Sequence, residues 1–335
     1  MERVVGPFSE SVVAPVRVGS RHRAGPMASE VRGPSWRRSS RGWYVPTSAP
    51  LTAEQRIVEA AAVLRPGTAV TGWAALRWMG GRWFSGASQG GRVLDDVDLV
   101  AMCREIRTPP GARVSQERLT PADVVGHDGL PVTVAARSAC FLMRYAPSLT
   151  AAVVAAEMAA FSDLVSADEL AAYVLDHPGW TGIERARRAT RLMSENSWSP
   201  MESRLRMLWL KHGLPAVLVN PPVFDLAGRH VATPDLLEPE SGLAVEYDGV
   251  EHLDVSQRRH DVGREEQMRD VGLEYVTVLG PDLAAPERLA ARMERAVRRA
   301  ASTRRVRSWT TTPPPGWLGA DTVAERRALR ARHAA

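Results

Sequence analysis

Asp235 and Glu246 are the residues in this chain whose type and spacing most directly suggest chemistry. Thr233-Pro234-Asp235 is followed by Val245-Glu246-Tyr247-Asp248-Gly249, and His252 stands just beyond. If the residues from Glu238 to Gly242 turn the chain symmetrically, Asp235 lies opposite Glu246. Strand alternation then puts Glu246 and Asp248 on one face and Val245 and Tyr247 on the other. Three carboxylates would share a small area, where like charges repel unless a cation or a proton holds them. Oxygen ligands of this kind predict a hard divalent ion, Mg²⁺ or Mn²⁺. Such an ion polarises a phosphodiester oxygen and lowers the pKa of a bound water, the two needs of hydrolysis.

Other residues extend the constellation. Glu202 stands on a helix ahead of Leu205 and Trp209, on the face expected to pack against the sheet, where a carboxylate needs a reason. His252 has the chemistry of a base or acid towards water or the leaving oxygen, and equally that of a surface or capping histidine. Asp261 and Arg264 are one helical turn apart, suited to pair with each other or to let Arg264 touch a phosphate.

These side chains need a scaffold, and the flanking sequence predicts one. A helix over Met201 to His212 stops at Gly213, with Leu205, Leu208 and Trp209 on one face. An extended segment near Val217 to Phe224, a turn at Ala227-Gly228 and a strand from Val231 to Leu237 follow. The turn Glu238 to Gly242 leads into a strand from Leu243 to Asp248. A helix from about Ser256 to Val271 ends at Gly272, Glu274 to Leu279 reads as a strand, and an arginine-heavy helix runs to about Ser302. Its Arg292, Arg295, Arg298 and Arg299 read as a solvated face or as a track for phosphates.

The first half has a different pattern. Trp43-Tyr44-Val45 reads as a strand, and Thr52 opens a helix that Pro66-Gly67 stops. Thr71 to Trp78 is a second helix, Val93 to Met102 a strand region interrupted by acids, and Val132-Thr133-Val134 a strand. From Ser138 to about Met193 three helices are predicted, the last opened by Ser166 with Glu169 at capping-box spacing. Asp95, Asp96 and Asp98 form an acidic cluster without a second ligand group.

At 335 residues the chain exceeds one ordinary core. The predicted divisions are a segment 1–46 with a possible degenerate winged helix, a mainly helical domain 47–195, a sheet-containing domain 199–302 and a flexible basic tail 303–335 with a possible polar helix near its end. The fold class is α/β, a mainly helical N-terminal domain followed by an α/β domain with a mixed central sheet. Net charge is +5, which favours a polyanion such as DNA as partner, and Lys211 is the sole lysine, an arginine bias that suits phosphate contacts and equally fits a GC-rich coding genome. The run from Ser148 to Phe161 is broken by Glu157 and too short to span a bilayer. With no secretory leader evident, the expected location is the cytoplasm.

Ser-Pro-Met-Glu-Ser-Arg-Leu, then Pro-Asp, then Val-Glu-Tyr-Asp-Gly-x-x-His, then Asp-x-x-Arg, resembles the very-short-patch-repair-type branch of the PD-(D/E)XK, or restriction-endonuclease-like, nucleases. The resemblance covers about eighty residues, Pro200 to Leu279. It implies a metal site at Asp235 and Glu246, with Glu202 as an accessory acid and metal-dependent DNA cleavage as the activity. Asp248 stands where that superfamily has a lysine, so the missing charge must come from His252 or Arg264, or cleavage is weak or absent. Over the N-terminal half, Arg41-Gly42-Trp43-Tyr44-Val45, Ala69-Val70-Thr71-Gly72-Trp73-Ala74-Ala75-Leu76, Gly129-Leu130-Pro131-Val132-Thr133 and Arg137-Ser138-Ala139 resemble the abortive-infection-type antitoxins. Those proteins are DNA-binding repressors that precede a nucleotidyltransferase toxin, which implies such a toxin as a second partner.

Overall fold

The computed structural model describes residues 12–19, 26–87, 91, 93–102, 106–249, 263, 265–303 and 306–334. It is an α/β protein with mixed sheets, divided into two compact units, Met1–Leu192 and Met193–Ala335.

The first unit begins with an antiparallel sheet of β1 (Val16–Arg17), β2 (Trp36–Ser40) and β3 (Trp43–Pro46), in the order β1-β3-β2. No α-helix occurs among the described residues up to 46, only a short 3-10 turn at Glu30–Arg32. The segment expected to hold a degenerate winged helix is therefore a small sheet there. Next come α1 (Ala53–Ala61), β4 (Ala69–Val70), α2 (Gly72–Trp78), β5 (Val97–Val100), β6 (Ala112–Ser115), β7 (Val124–His127) and β8 (Leu130–Thr133). These strands form a mixed sheet in the order β6-β5-β4-β8-β7. Several are too short to show an alternating pattern, which is why the sequence reads as mainly helical here. Gly72 opens α2 at φ +61, and a Cβ on it would lie 3.1 Å from Asp98 Oδ2 and 3.2 Å from the Phe141 ring. Only glycine fits both the backbone angle and the space.

The helices α3 (Ala135–Tyr145), α4 (Leu149–Phe161), α5 (Ala167–Leu175) and α6 (Ile183–Leu192) complete the unit. The expected capping box forms at α5: Ser166 Oγ accepts the Glu169 amide, and the Glu169 carboxylate accepts the Ser166 amide. Two buried arginines on α3 share one acid. Glu117 accepts from Arg137 at 3.2 Å, from Arg144 at 2.8 Å and from the Tyr145 hydroxyl at 2.7 Å. The Trp180 ring lies against both guanidinium groups, at 4.8 and 4.6 Å. In the acidic cluster, Asp98 is buried against Arg113; burial, the largest influence, raises its pKa, and the arginine opposes that.

The second unit opens with α7 (Pro200–Lys211), whose N-cap Ser199 accepts the Glu202 amide. Then follow β9 (Leu218–Val219), β10 (Val223–Asp225), β11 (His230–Ala232), β12 (Leu236–Glu238), β13 (Leu243–Asp248), β14 (Glu274–Leu279), α8 (Pro286–Ser302), β15 (Trp309–Thr310) and α9 (Val323–Ala334). Residues 265–270 are also helical. The main sheet runs β14-β13-β12-β9, with β13 and β14 parallel and the other neighbours antiparallel. One face carries Leu236, Leu243, Val245, Val276 and Val278, packed against Leu205, Leu208 and Trp209 of α7 and Leu289 and Met293 of α8. The other carries Leu237 and Ala244 against Met268, Leu273 and Trp309.

Two features depart from the expected scaffold. The strand expected from Val231 to Leu237 is two strands: β11 joins a small sheet with β10 and β15, while β12 joins the main sheet. Pro234 has no amide to continue the first ladder, so the chain changes partners at 233–235. The tail, expected to be flexible apart from a polar helix near its end, carries that helix, α9, and also the strand β15. β15 pairs with Phe224 and Asp225, Trp309 is buried, and Val323 at the start of α9 is fully covered. Trp309→Ala is expected to cost this unit about 3–5 kcal/mol by emptying the space beneath β10 and β13, measurable by urea denaturation.

Candidate functional site

Asp235 lies at the break between β11 and β12, and Glu246 near the end of β13. The ladder pairs Leu236 with Val245 and Leu237 with Ala244. Continued by one residue, it sets Asp235 across from Glu246, as the symmetric turn predicts. By alternation both belong to the face that carries Leu237 and Ala244.

Each acid is held by a donor. The Tyr247 amide donates to Asp235 Oδ2 at 2.6 Å, and the Tyr275 hydroxyl donates to Glu246 Oε2 at 2.7 Å. Tyr275 reaches Glu246 because the parallel register pairs Ala244 with Tyr275, which puts the phenol on the same face. Glu246 is 6% exposed, so the phenol meets it largely shielded from water. Hydrogen bonds of this kind orient carboxylates in metal centres and are compatible with ligation.

Glu202 is buried, and the structure supplies the reason that its position demands. Its Oε2 accepts the Trp198 amide at 2.9 Å and the Asn220 side-chain amide at 2.8 Å. Asn220 is almost fully buried, with φ +46, and its own amide donates to the Asp235 carbonyl at 3.0 Å. Asn196 adds a second tie, donating to the carbonyls of Val219 and Asn220. Glu202 thus reaches Asp235 through Asn220, fixing the backbone at the strand break.

Asp248 sits half-buried at the end of β13, paired in register with Leu279 of β14. No group of three or more His, Cys, Asp or Glu side chains among the described residues is arranged to hold a metal ion. The cluster of Asp235, Glu246 and Asp248 expected from alternation is not arranged to hold an ion among the described residues; Asp235 and Glu246 each accept from a hydrogen-bond donor instead. Two carboxylates still fit a magnesium-like ion, which takes one or two from a protein and completes its shell with water and phosphate oxygens. His252, Asp261 and Arg264 lie outside the described residues.

Asn220, Asn196 and Tyr275 escape a search for charged motifs. Val219-Asn220-Pro221-Pro222 does carry a turn signal, since asparagine tolerates the left-handed region and prolines follow it. The arginines of α8 are largely engaged within the unit: Arg292 with Asp282, Arg298 with Glu294 and Arg299 with Glu274.

Fold and site together define an α/β unit whose mixed sheet brings two acids to one end of a hairpin. The chain is similar to two proteins of Mycobacterium tuberculosis, both described as uncharacterized, one from strain CDC 1551 / Oshkosh and one from strain ATCC 25618 / H37Rv. Each is 30% identical over 129 residues, 38% of this chain. The match spans 47% of each relative, about half its length. No family model matches the chain, and no solved structure does. Among the described residues no helix is long and apolar enough to cross a membrane.

Proposed function

We propose that the second unit is a metal-dependent endonuclease of the restriction-endonuclease-like kind that hydrolyses DNA phosphodiester bonds. It would act in the cytoplasm, in DNA repair or in defence against phage and mobile elements. The observation that carries this reading is the register that sets Asp235 across from Glu246, each carboxylate oriented by a fixed donor.

In this reading Asp235 and Glu246 hold Mg²⁺ or Mn²⁺, which when bound supplies a Lewis acid for the phosphodiester and a more acidic water. The chain's own residues do the positioning. The Tyr247 amide and Tyr275 hydroxyl aim the two carboxylates, and Glu202 with Asn220 keeps Asp235 at the end of the ladder. His252 is assigned proton transfer at the attacking water or the leaving oxygen, and Arg264 a phosphate contact. The net charge of +5 favours approach of a polyanion.

The test is nicking of supercoiled plasmid by the purified full chain. Relaxed and linear products are expected with Mg²⁺ or Mn²⁺ and none with EDTA; intact plasmid under both metals would sink the proposal. Tyr275→Phe is expected to raise the metal concentration needed for half-maximal nicking by about tenfold, because the donor that orients Glu246 is lost.

Asp248, standing in place of a lysine, favours a second reading: a catalytically weak or inactive, antitoxin-like DNA-binding regulator. Its partner would be a nucleotidyltransferase-type toxin from a neighbouring gene. Under that reading the wild type binds DNA and leaves it uncut with every metal.

A further inference from the structure

Trp198 stands just ahead of α7, one residue before its capping Ser199. An apolar residue at that place commonly packs onto an apolar side chain in the first turn of the helix. Here the receiving position is Ser203, a buried serine whose hydroxyl is hydrogen-bonded to that of Ser197. The Trp198 indole is 45% exposed, whereas Trp78, Trp209 and Trp309 are buried.

The exposed ring is nevertheless fixed. Its Nε1 donates to Asn196 Oδ1 at 2.9 Å, and the Trp198 main-chain amide donates to Glu202 Oε2 at 2.9 Å. Asn220 ties these two neighbours together: its side-chain amide donates to Glu202 Oε2 at 2.8 Å and to the Asn196 carbonyl at 2.7 Å. Asn196 and Asn220 are both buried, so water competes poorly for these bonds. A ring held in this way loses little freedom when a planar group stacks on it.

Position indicates which planar group. The Asn220 main-chain amide donates to the Asp235 carbonyl at 3.0 Å, so the network that fixes the indole ends at the acid pair. Three hydrogen bonds and one asparagine side chain separate the main chains of Trp198 and Asp235, no more than about 13 Å. That distance is a few nucleotides of a strand whose phosphate lies at the acids. A paired duplex shows its bases to a protein by their edges. An unpaired base offers its face, and any base can stack on an aromatic ring.

We propose that the indole of Trp198 stacks on an unpaired nucleobase, so that the substrate of this unit is DNA with a single-stranded or unwound segment beside the phosphate placed at Asp235 and Glu246. The placement beside that phosphate rests on the nuclease reading of the acid pair. The stacking itself is a matter of binding and is tested without metal or cleavage.

The full chain is titrated in EDTA into a fluorescein-labelled single strand and into a duplex of the same sequence, and anisotropy is followed over a series of salt concentrations. The wild type is expected to bind the single strand more tightly. For Trp198→Leu the single-strand affinity is expected to fall about tenfold, with duplex affinity and both salt slopes unchanged, because the stack carries no net charge. Trp198→Phe keeps a ring while giving up the indole N–H, and retains most of the affinity. A strand of abasic residues keeps the phosphates without the bases, and is expected to bind wild type and Trp198→Leu equally. Thermal melts establish that both variants fold. Equal single-strand affinity in Trp198→Leu and wild type would overturn the proposal, as would a loss that persists on the abasic strand or a wild type that prefers the duplex. Ring-dependent binding in a protein that never nicks plasmid supports this contact and defeats the nuclease reading; nicking with single-strand affinity unchanged in Trp198→Leu does the reverse.

Discussion

Asp235→Asn and Glu246→Gln are each expected to lower the rate of metal-dependent plasmid nicking by at least about two orders of magnitude, with little change in thermal stability. Both substitutions keep the shape of the side chain and remove the charge. Asparagine at 235 retains an oxygen to accept the Tyr247 amide, and glutamine at 246 retains one for the Tyr275 hydroxyl, so the local bonds are conserved. What is lost is attraction for a divalent cation, which falls steeply when one of two anionic ligands becomes neutral. The measurement is the initial rate of loss of supercoiled plasmid, alongside a thermal melt. Variants that nick at the wild-type rate would remove the acid pair from the chemistry.

The second large effect is on stability and lies in the first unit. Glu117→Ala is expected to cost about 3 kcal/mol or more, because it leaves the buried guanidinium groups of Arg137 and Arg144 without their shared acid. Asp123, at 3.6 Å from Arg137, offsets part of the loss for one arginine only. Trp180 shields both from water, so solvent is a poor substitute. Tyr145→Phe removes a single hydrogen bond to the same carboxylate and is expected to cost about 1 kcal/mol. Urea denaturation of the full chain separates the two; equal midpoints for Glu117→Ala and wild type would show that the arginines do not depend on this acid.

Local chemistry made part of this structure legible in advance. The turn from Glu238 to Gly242 is visible because glycine and proline punctuate two apolar runs, and the strand from Leu243 to Asp248 follows with the expected bounds. The helix expected over Met201 to His212 is α7, Pro200–Lys211, one residue displaced at each end. Where long-range pairing decides, the pattern of residues is silent. Val231 to Leu237 looks like one strand, and although Pro234 marks the break, the small sheet that takes its first half is completed by β15, which pairs with β10 from more than eighty residues further along. Tyr275 meets Glu246 through a parallel register that no local spacing encodes. Glu202 drew attention as a buried acid, but its partner Asn220 lies on a separate turn, so its positioning work emerges only in three dimensions. The basic composition of the tail masks Trp309 and Val323, the two side chains that anchor it.

Titration of Mn²⁺ into the full-length protein by calorimetry tests most directly whether Asp235 and Glu246 act as one cation site. The expected result is a saturable binding event in the wild type that disappears in Asp235→Asn and again in Glu246→Gln. Binding that survives both substitutions unchanged, or a wild type that takes up no ion, would contradict it.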